Sequence, residues 1–144
     1  MYDEQINLMI LSKASGEKFS AAVTLYDEDP CNCDNIKMAV TFKGQEYYFS
    51  EENYFKALLM FREYLQRKSM QLLCNGAMKE VYPSPMQMSM GCCKTGYIQE
   101  IGKQASNDNI VDLFEYEPSL TPATIEEQLE YHNLWLSSFK SGNL

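Results

Sequence analysis

The chain has 144 residues, 45% of them hydrophobic, and sets 12 Lys and Arg against 20 Asp and Glu for a net charge of -8. That length supports a single domain over residues 1–144 with its own core, the apolar and aromatic content excludes a disordered chain, and the negative charge disfavours nucleic acid, which needs clustered bases. No stretch reaches the roughly 20 apolar residues of a membrane span, and Asp3 and Glu4 stand where a signal peptide would be basic, so a cytoplasmic protein is expected.

Residues 6–11 form an apolar run of strand length, although periodicity leaves a helix starting near Asp3 open. Phe19, Ala21, Val23 and Leu25 then share one face, opposite Ser20, Ala22, Thr24 and Tyr26, which predicts a strand with one wetter side. Residues 27–35 have loop composition. Ile36, Met38, Val40 and Phe42 alternate up to Gly44-Gln45, where a type II′ turn would pair Phe42 with Tyr47 and Val40 with Phe49.

Ser50 followed by Glu51 and Glu52 reads as a helix start, with a capping hydroxyl and carboxylates at the positive end of the dipole. Phe55, Leu58, Leu59, Arg62 and Leu65 carry that helix to about Lys68. Residues 70–74 suit a short buried strand ended by Asn75-Gly76. Residues 77–96, with Pro83, Pro85, Gly91 and Gly96, read as a long irregular loop, a kind of segment that often carries function. Met78, Met86, Met88 and Met90 all fall within it, as core gap-fillers or as an adaptable surface.

Residues 97–101 return as a strand, and 109–116 form an element of undecided type. Either Thr121-Pro122 or a Thr124–Glu127 capping box opens a last helix. Its buried stripe is predicted to be Ile125, Leu129, His132, Leu136 and Phe139, with Glu126, Glu127 and Glu130 outward. The expected fold is α+β: an antiparallel sheet of about five strands with two main helices packed on one face.

Catalytic chemistry is poorly supplied. Cys31, Cys33, Cys74, Cys92 and Cys93 are odd in number and include an adjacent pair, which fits reduced thiols better than a disulfide framework. Cys31, Cys33, Cys92 and Cys93 could supply four zinc ligands, but C-x-C and C-C are not the usual knuckle spacings. A thiol enzyme would need Cys92 or Cys93 beside His132, the only histidine, which sits in an apolar stripe. Glu51-Glu52 and Glu126-Glu127 open predicted helices, where the dipole explains them, and the glycines at 91 and 96 lack the Lys-Ser/Thr of a phosphate loop. No catalytic residue, metal ligand or cofactor is therefore assigned, and a small thiol- or zinc-dependent enzyme is the competing reading.

Charge distribution is more informative. Residues 104–139 contain seven carboxylates and no lysine or arginine, interleaved with Phe114, Tyr116, Tyr131 and Trp135. Such a stretch is either a solvated face or a docking surface for a basic partner, the acids steering encounter and the aromatics supplying burial; Trp135 leans towards the core. The candidate partner-binding residues are Asp112, Glu115, Glu117, Glu126, Glu127 and Glu130, with the loop at 82–94 as second choice. A structural adaptor or homodimer is a further alternative.

Several short runs carry a resemblance: Ser50-Glu-Glu-Asn-Tyr-Phe, Leu73-Cys-Asn-Gly-Ala77, Val81-Tyr-Pro-Ser84, Thr124-Ile-Glu-Glu-Gln and the Trp135-Leu ending. With its size, acidity and α+β build, the chain resembles the small cytoplasmic bacterial immunity proteins of polymorphic or contact-dependent toxin systems. The resemblance implies a non-enzymatic protein that binds a cognate toxin domain, often a basic nuclease, and occludes it. These proteins share no common site motif, so no residue role is carried over.

Overall fold

The computed structural model describes residues 3–142 and, in the last helix, side chains as far as Phe139. Alternation along the first half of the chain builds four consecutive antiparallel strands, β1 (Asp3–Ser12), β2 (Lys18–Tyr26), β3 (Ile36–Phe42) and β4 (Gln45–Glu51). Helix α1 (Tyr54–Arg67) follows, and β5 (Met70–Leu73) then joins the free side of β1, giving the order β4-β3-β2-β1-β5. Leu8, Ile10, Val23, Met38 and Val40 point to the face that α1 covers with Phe55, Leu58, Phe61 and Leu65, all within 2% of complete burial. The α+β class, the five-stranded antiparallel sheet and the two main helices match the expectation. Among the described residues no helix is long and apolar enough to cross a membrane.

Two local expectations are corrected here. The β3–β4 turn is Lys43-Gly44, with φ of 52° and 77°, so both central residues are left-handed as a type I′ turn requires. Phe42 therefore pairs with Gln45, Val40 with Tyr47 and Met38 with Phe49, two residues away from the predicted register. A two-residue shift leaves every side chain on its predicted face, which is why the alternation still read correctly.

The helix start also moves. Ser50 and Glu51 belong to β4, opposite Lys37 and Ile36, and the cap of α1 is Asn53, whose Oδ1 accepts from the Lys56 N–H at 2.9 Å. The Ser50 hydroxyl is occupied elsewhere, donating to buried Asp29 and accepting from Asn35 Nδ2, and so closes the loop at 27–35.

Residues 77–96, expected to be irregular, contain β6 (Val81–Tyr82), the short helix α2 (Pro85–Ser89) and the start of β7 (Thr95–Ile98). Ser84 and Gln87 form a capping box with Pro85 in the first turn, so Pro85 starts this helix rather than preventing it. With β8 (Ile110–Asp112) these strands make a second sheet, β6-β7-β8. The methionines divide: Met78 is fully buried, whereas Met86 and Met90 are about two-thirds exposed.

Leu113, just after β8, is fully buried between two glycines. A Cβ on Gly76 would lie 2.8 Å from Leu58 Cδ1 and 3.3 Å from Leu113 Cβ; one on Gly96 would lie 3.0 Å from Leu113 Cδ2. The missing side chains make the room that lets the small sheet approach the main core. Asn75, 3% exposed, fixes the segment that follows. Its Nδ2 donates to the Asp112 carbonyl, its N–H to the Glu115 carbonyl, and its Oδ1 accepts from the Glu117 N–H.

Candidate functional site

Helix α3 (Ile125–Gly142) begins with the predicted Thr124 capping box: Thr124 Oγ1 accepts from the Glu127 N–H, and Glu127 Oε1 accepts from the Thr124 N–H at 2.8 Å. That backbone N–H holds the Glu127 carboxyl below its ordinary range. Gln66 of α1 docks the first turn, its Oε1 accepting from the Ile125 N–H and its Nε2 donating to Glu126.

Of the predicted buried stripe of α3, Ile125, His132 and Phe139 are partly buried, whereas Leu129 and Leu136 are exposed, and the most buried residue of the helix is Gln128. Gln128, 1% exposed, donates from Nε2 towards the carbonyls of Gly76, Met78 and Val81, and its Oε1 accepts from buried Arg62 at 2.6 Å. Further along, Tyr131 donates to the Gln99 carbonyl and Trp135 Nε1 to the Lys103 carbonyl, leaving Trp135 half-buried. His132 stacks on Tyr82 with ring centroids 3.8 Å apart, and burial lowers its pKa. Its Nδ1 lies 3.1 Å from Gln99 Oε1; an amide oxygen only accepts, so Nδ1 carries the proton.

This arrangement turns leucines to the outside. Leu129 is 46% exposed, Leu134 58% and Leu136 40%. Leu129 and Leu134 share a shallow groove with Glu126, Glu130, Asn133 and Ser137, residues that helical spacing puts on one face. A second groove adds Lys79, Glu127 and Tyr131 to Glu130 and Leu134. The apolar centre flanked by carboxylates has the composition of a docking surface, burial from leucine and steering from glutamate.

The six candidate acids do not share one groove. Glu115 lines a different depression with Asn7, Met9, Ser20, Phe114 and Tyr116, beside β1 and β2. Glu117 is turned to its own backbone, accepting from the Ser119 N–H, which lowers its pKa. Asp112 is half-buried and accepts from the Phe114 N–H. Bases from elsewhere in the chain also enter the acidic surface. Lys79 lines the second groove, its Nζ 5.6 Å from the Tyr131 ring centroid, and both Lys79 and Lys13 act on Glu127.

Near the loop at 82–94, a further depression is lined by Asp27, Gln87, Met90, Cys92, Cys93 and Lys94. Its charges are already paired: Lys94 lies 3.1 Å from Asp27 and 3.5 Å from Glu4, and Tyr54 donates to Asp27. Burial pushes the Cys93 thiol up to about 11 and the Cys74 thiol up to about 12, and burial beside Asp27 raises Cys92 as well. These are thiols held away from the nucleophilic form. Among the described residues, no group of three or more His, Cys, Asp or Glu is placed to hold a metal ion. A disulfide reagent at neutral pH is accordingly expected to label exposed Cys31 and Cys33 quickly, and Cys74 and Cys93 only on unfolding. Fast labelling confined to Cys92 or Cys93 in the native protein would instead favour a thiol enzyme.

Comparison of the chain with protein-family models gives no match, and comparison with curated proteins gives none either.

Proposed function

We propose that this protein is a non-enzymatic inhibitor that binds a basic partner protein, a bacterial toxin domain of nuclease type, through the outer face of α3. The observation that carries this reading is the outward grouping of Leu129 and Leu134 with Glu126 and Glu130, on a helix whose inner side is fixed by Gln128, Tyr131 and Trp135. A preorganised face of this kind binds without ordering new backbone. The net charge of -8 supports attraction of a basic partner at long range, and Asp112, Glu115 and Glu117 add to the field from their own surface. The short runs shared in character with immunity proteins point the same way.

Co-expression tests the reading directly. Cells making the candidate toxin domain encoded beside the gene for this chain are expected to resume growth when the chain is co-expressed. For the purified pair, the double variant Glu126→Lys/Glu130→Lys is expected to slow association roughly tenfold at low salt and to flatten its salt dependence, because like charge then opposes encounter. Glu127 is left intact in this variant because it caps the helix. Absence of growth rescue would remove the toxin from the proposal, and unchanged association kinetics would remove the α3 face.

A further inference from the structure

Strand β4 ends the five-stranded sheet, and among the described residues no strand pairs with its outer side. Its seven residues contain no lysine, arginine or proline. They pair with β3 in unbroken register from Phe42↔Gln45 to Ile36↔Glu51, so no bulge twists the edge away. Edge strands are commonly blunted by such devices; the charges that β4 carries are the carboxylates of Glu46 and Glu51 alone.

The Lys43-Gly44 turn determines which groups are free. A two-residue type I′ turn makes Phe42 and Gln45 a hydrogen-bonded pair, so Gln45, Tyr47, Phe49 and Glu51 bond to β3. Glu46, Tyr48 and Ser50 then direct their N–H and C=O groups outward. Glu46 and Ser50 are exposed and Tyr48 is 59% exposed.

We infer that β4 is the site of self-association: two copies of this chain pair antiparallel through β4 about a two-fold axis at Tyr48, making one continuous sheet. The occupant follows from the strand's own sequence. A two-fold at Tyr48 places Glu46 opposite Ser50 of the second copy, Gln45 opposite Glu51, Tyr47 opposite Phe49 and Tyr48 opposite itself. No like charges face each other, and aromatic pairs fall in the middle, the combination that stabilises cross-strand neighbours. Every outward N–H and C=O of β4 finds a partner in this register. A two-fold moved to Glu46 would set two carboxylates face to face, and one at Tyr47 or Phe49 would use fewer of the outward groups.

Charge complementarity extends onto the neighbouring strand. Lys37 of β3 lies beside Ser50, with its ammonium 4.6 Å from the Tyr48 ring centroid. In the paired sheet Glu46 of the second copy lies on the far side of Ser50, on the same face. Two strand spacings of about 4.8 Å separate these backbones, within reach of a lysine and a glutamate across a serine.

Sedimentation of the full chain over a concentration series tests the interface. The wild type is expected to approach twice the 16.6 kDa chain mass as concentration rises. Tyr48→Lys, which sets two ammonium groups together at the axis, is expected to remain monomeric. Tyr48→Pro is expected to do the same with an unchanged circular dichroism spectrum, since the N–H it deletes points away from β3 and proline is tolerated at a sheet edge. Leu134→Glu, on the outer face of α3, is expected to leave the dimer intact. A wild type that stays monomeric, or a dimer that survives Tyr48→Lys, overturns the inference. So does a dimer dissociated by Leu134→Glu but not by the folded Tyr48 variants. Growth rescue by co-expression is a separate readout, so failure of either idea is distinguishable from failure of the other.

Discussion

Arg62→Ala is expected to lower folding stability by about 4 kcal/mol, a large share of what a domain of this size has in reserve. Arg62 is 2% exposed and has no carboxylate in hydrogen-bonding contact among the described residues; its guanidinium donates to the Gly76 and Ala123 carbonyls and to Gln128 Oε1. Burial pulls its pKa down to about 10, which still leaves it charged at neutral pH. Two effects oppose each other on truncation. Removing a buried charge relieves its desolvation, but it orphans buried acceptors, at about 1–3 kcal/mol each, and opens a cavity between α1 and α3. The second effect wins because Gln128 Oε1 and the Ala123 carbonyl lose this donor together, while the Gly76 carbonyl keeps Gln128 Nε2.

Arg62→Met separates the contributions. It keeps most of the volume and removes the charge, so a loss of roughly half that of Arg62→Ala is expected, the remainder being the lost hydrogen bonds. Urea midpoints at fixed slope measure both variants. A change below about 1 kcal/mol for Arg62→Ala would mean that the junction between α1 and α3 does not depend on this side chain.

Leu113→Ala is expected to cost about 4 kcal/mol, in the upper part of the range for buried leucines. The position in that range follows from the neighbours. Gly76 and Gly96 flank Leu113 with no side chains of their own, so little can move into the space it vacates. The cavity term is therefore retained rather than relaxed away. Gly76→Ala alone is expected to destabilise by about 2 kcal/mol through the contacts its Cβ makes with Leu58 and Leu113. Coupling is expected at the other glycine: Gly96→Ala sets its Cβ against Leu113 Cδ2, the atom that Leu113→Ala removes, so that double variant is expected to lose about 1–2 kcal/mol less than the sum. Strict additivity would show that these residues do not share one packing site.

Much of the main sheet is legible in the sequence because its faces differ in wetness, and strict alternation from Phe19 to Leu25 and from Ile36 to Phe42 reports that difference directly. The turn between β3 and β4 is less legible. Lysine is unusual in a left-handed conformation, so Gly44 reads naturally as the first turn residue when it is the second. Ser50 looks like a helix cap until Asp29 and Asn35, distant in sequence, are seen to occupy its hydroxyl.

The last helix shows a different limit. Hydrophobic periodicity assumes that a helix packs against apolar side chains. Helix α3 instead faces backbone carbonyls at Gly76, Met78, Val81, Gln99 and Lys103, and these require donors. Gln128, Tyr131 and Trp135 supply them, and the leucines are left outside. Glu126, Glu127 and Glu130 are readable as outward residues, but their neighbours are not. Charge counted along the chain cannot show that Glu115 sits apart from Glu130, or that Lys79 enters the α3 surface.

Holding a helix by donors rather than by apolar burial also sets how that contact responds to temperature. The α1 side of the core covers large apolar areas, whose release raises the heat capacity and gives stability a curved dependence on temperature. Lifting α3 away would hydrate carbonyls, an amide, a phenol and an indole N–H along with its aromatic rings, and polar exposure changes heat capacity in the opposite sense. The two contributions offset each other, so the docking equilibrium of α3 varies gently across the growth range of a cell, while the sheet beneath it carries most of the thermal curvature.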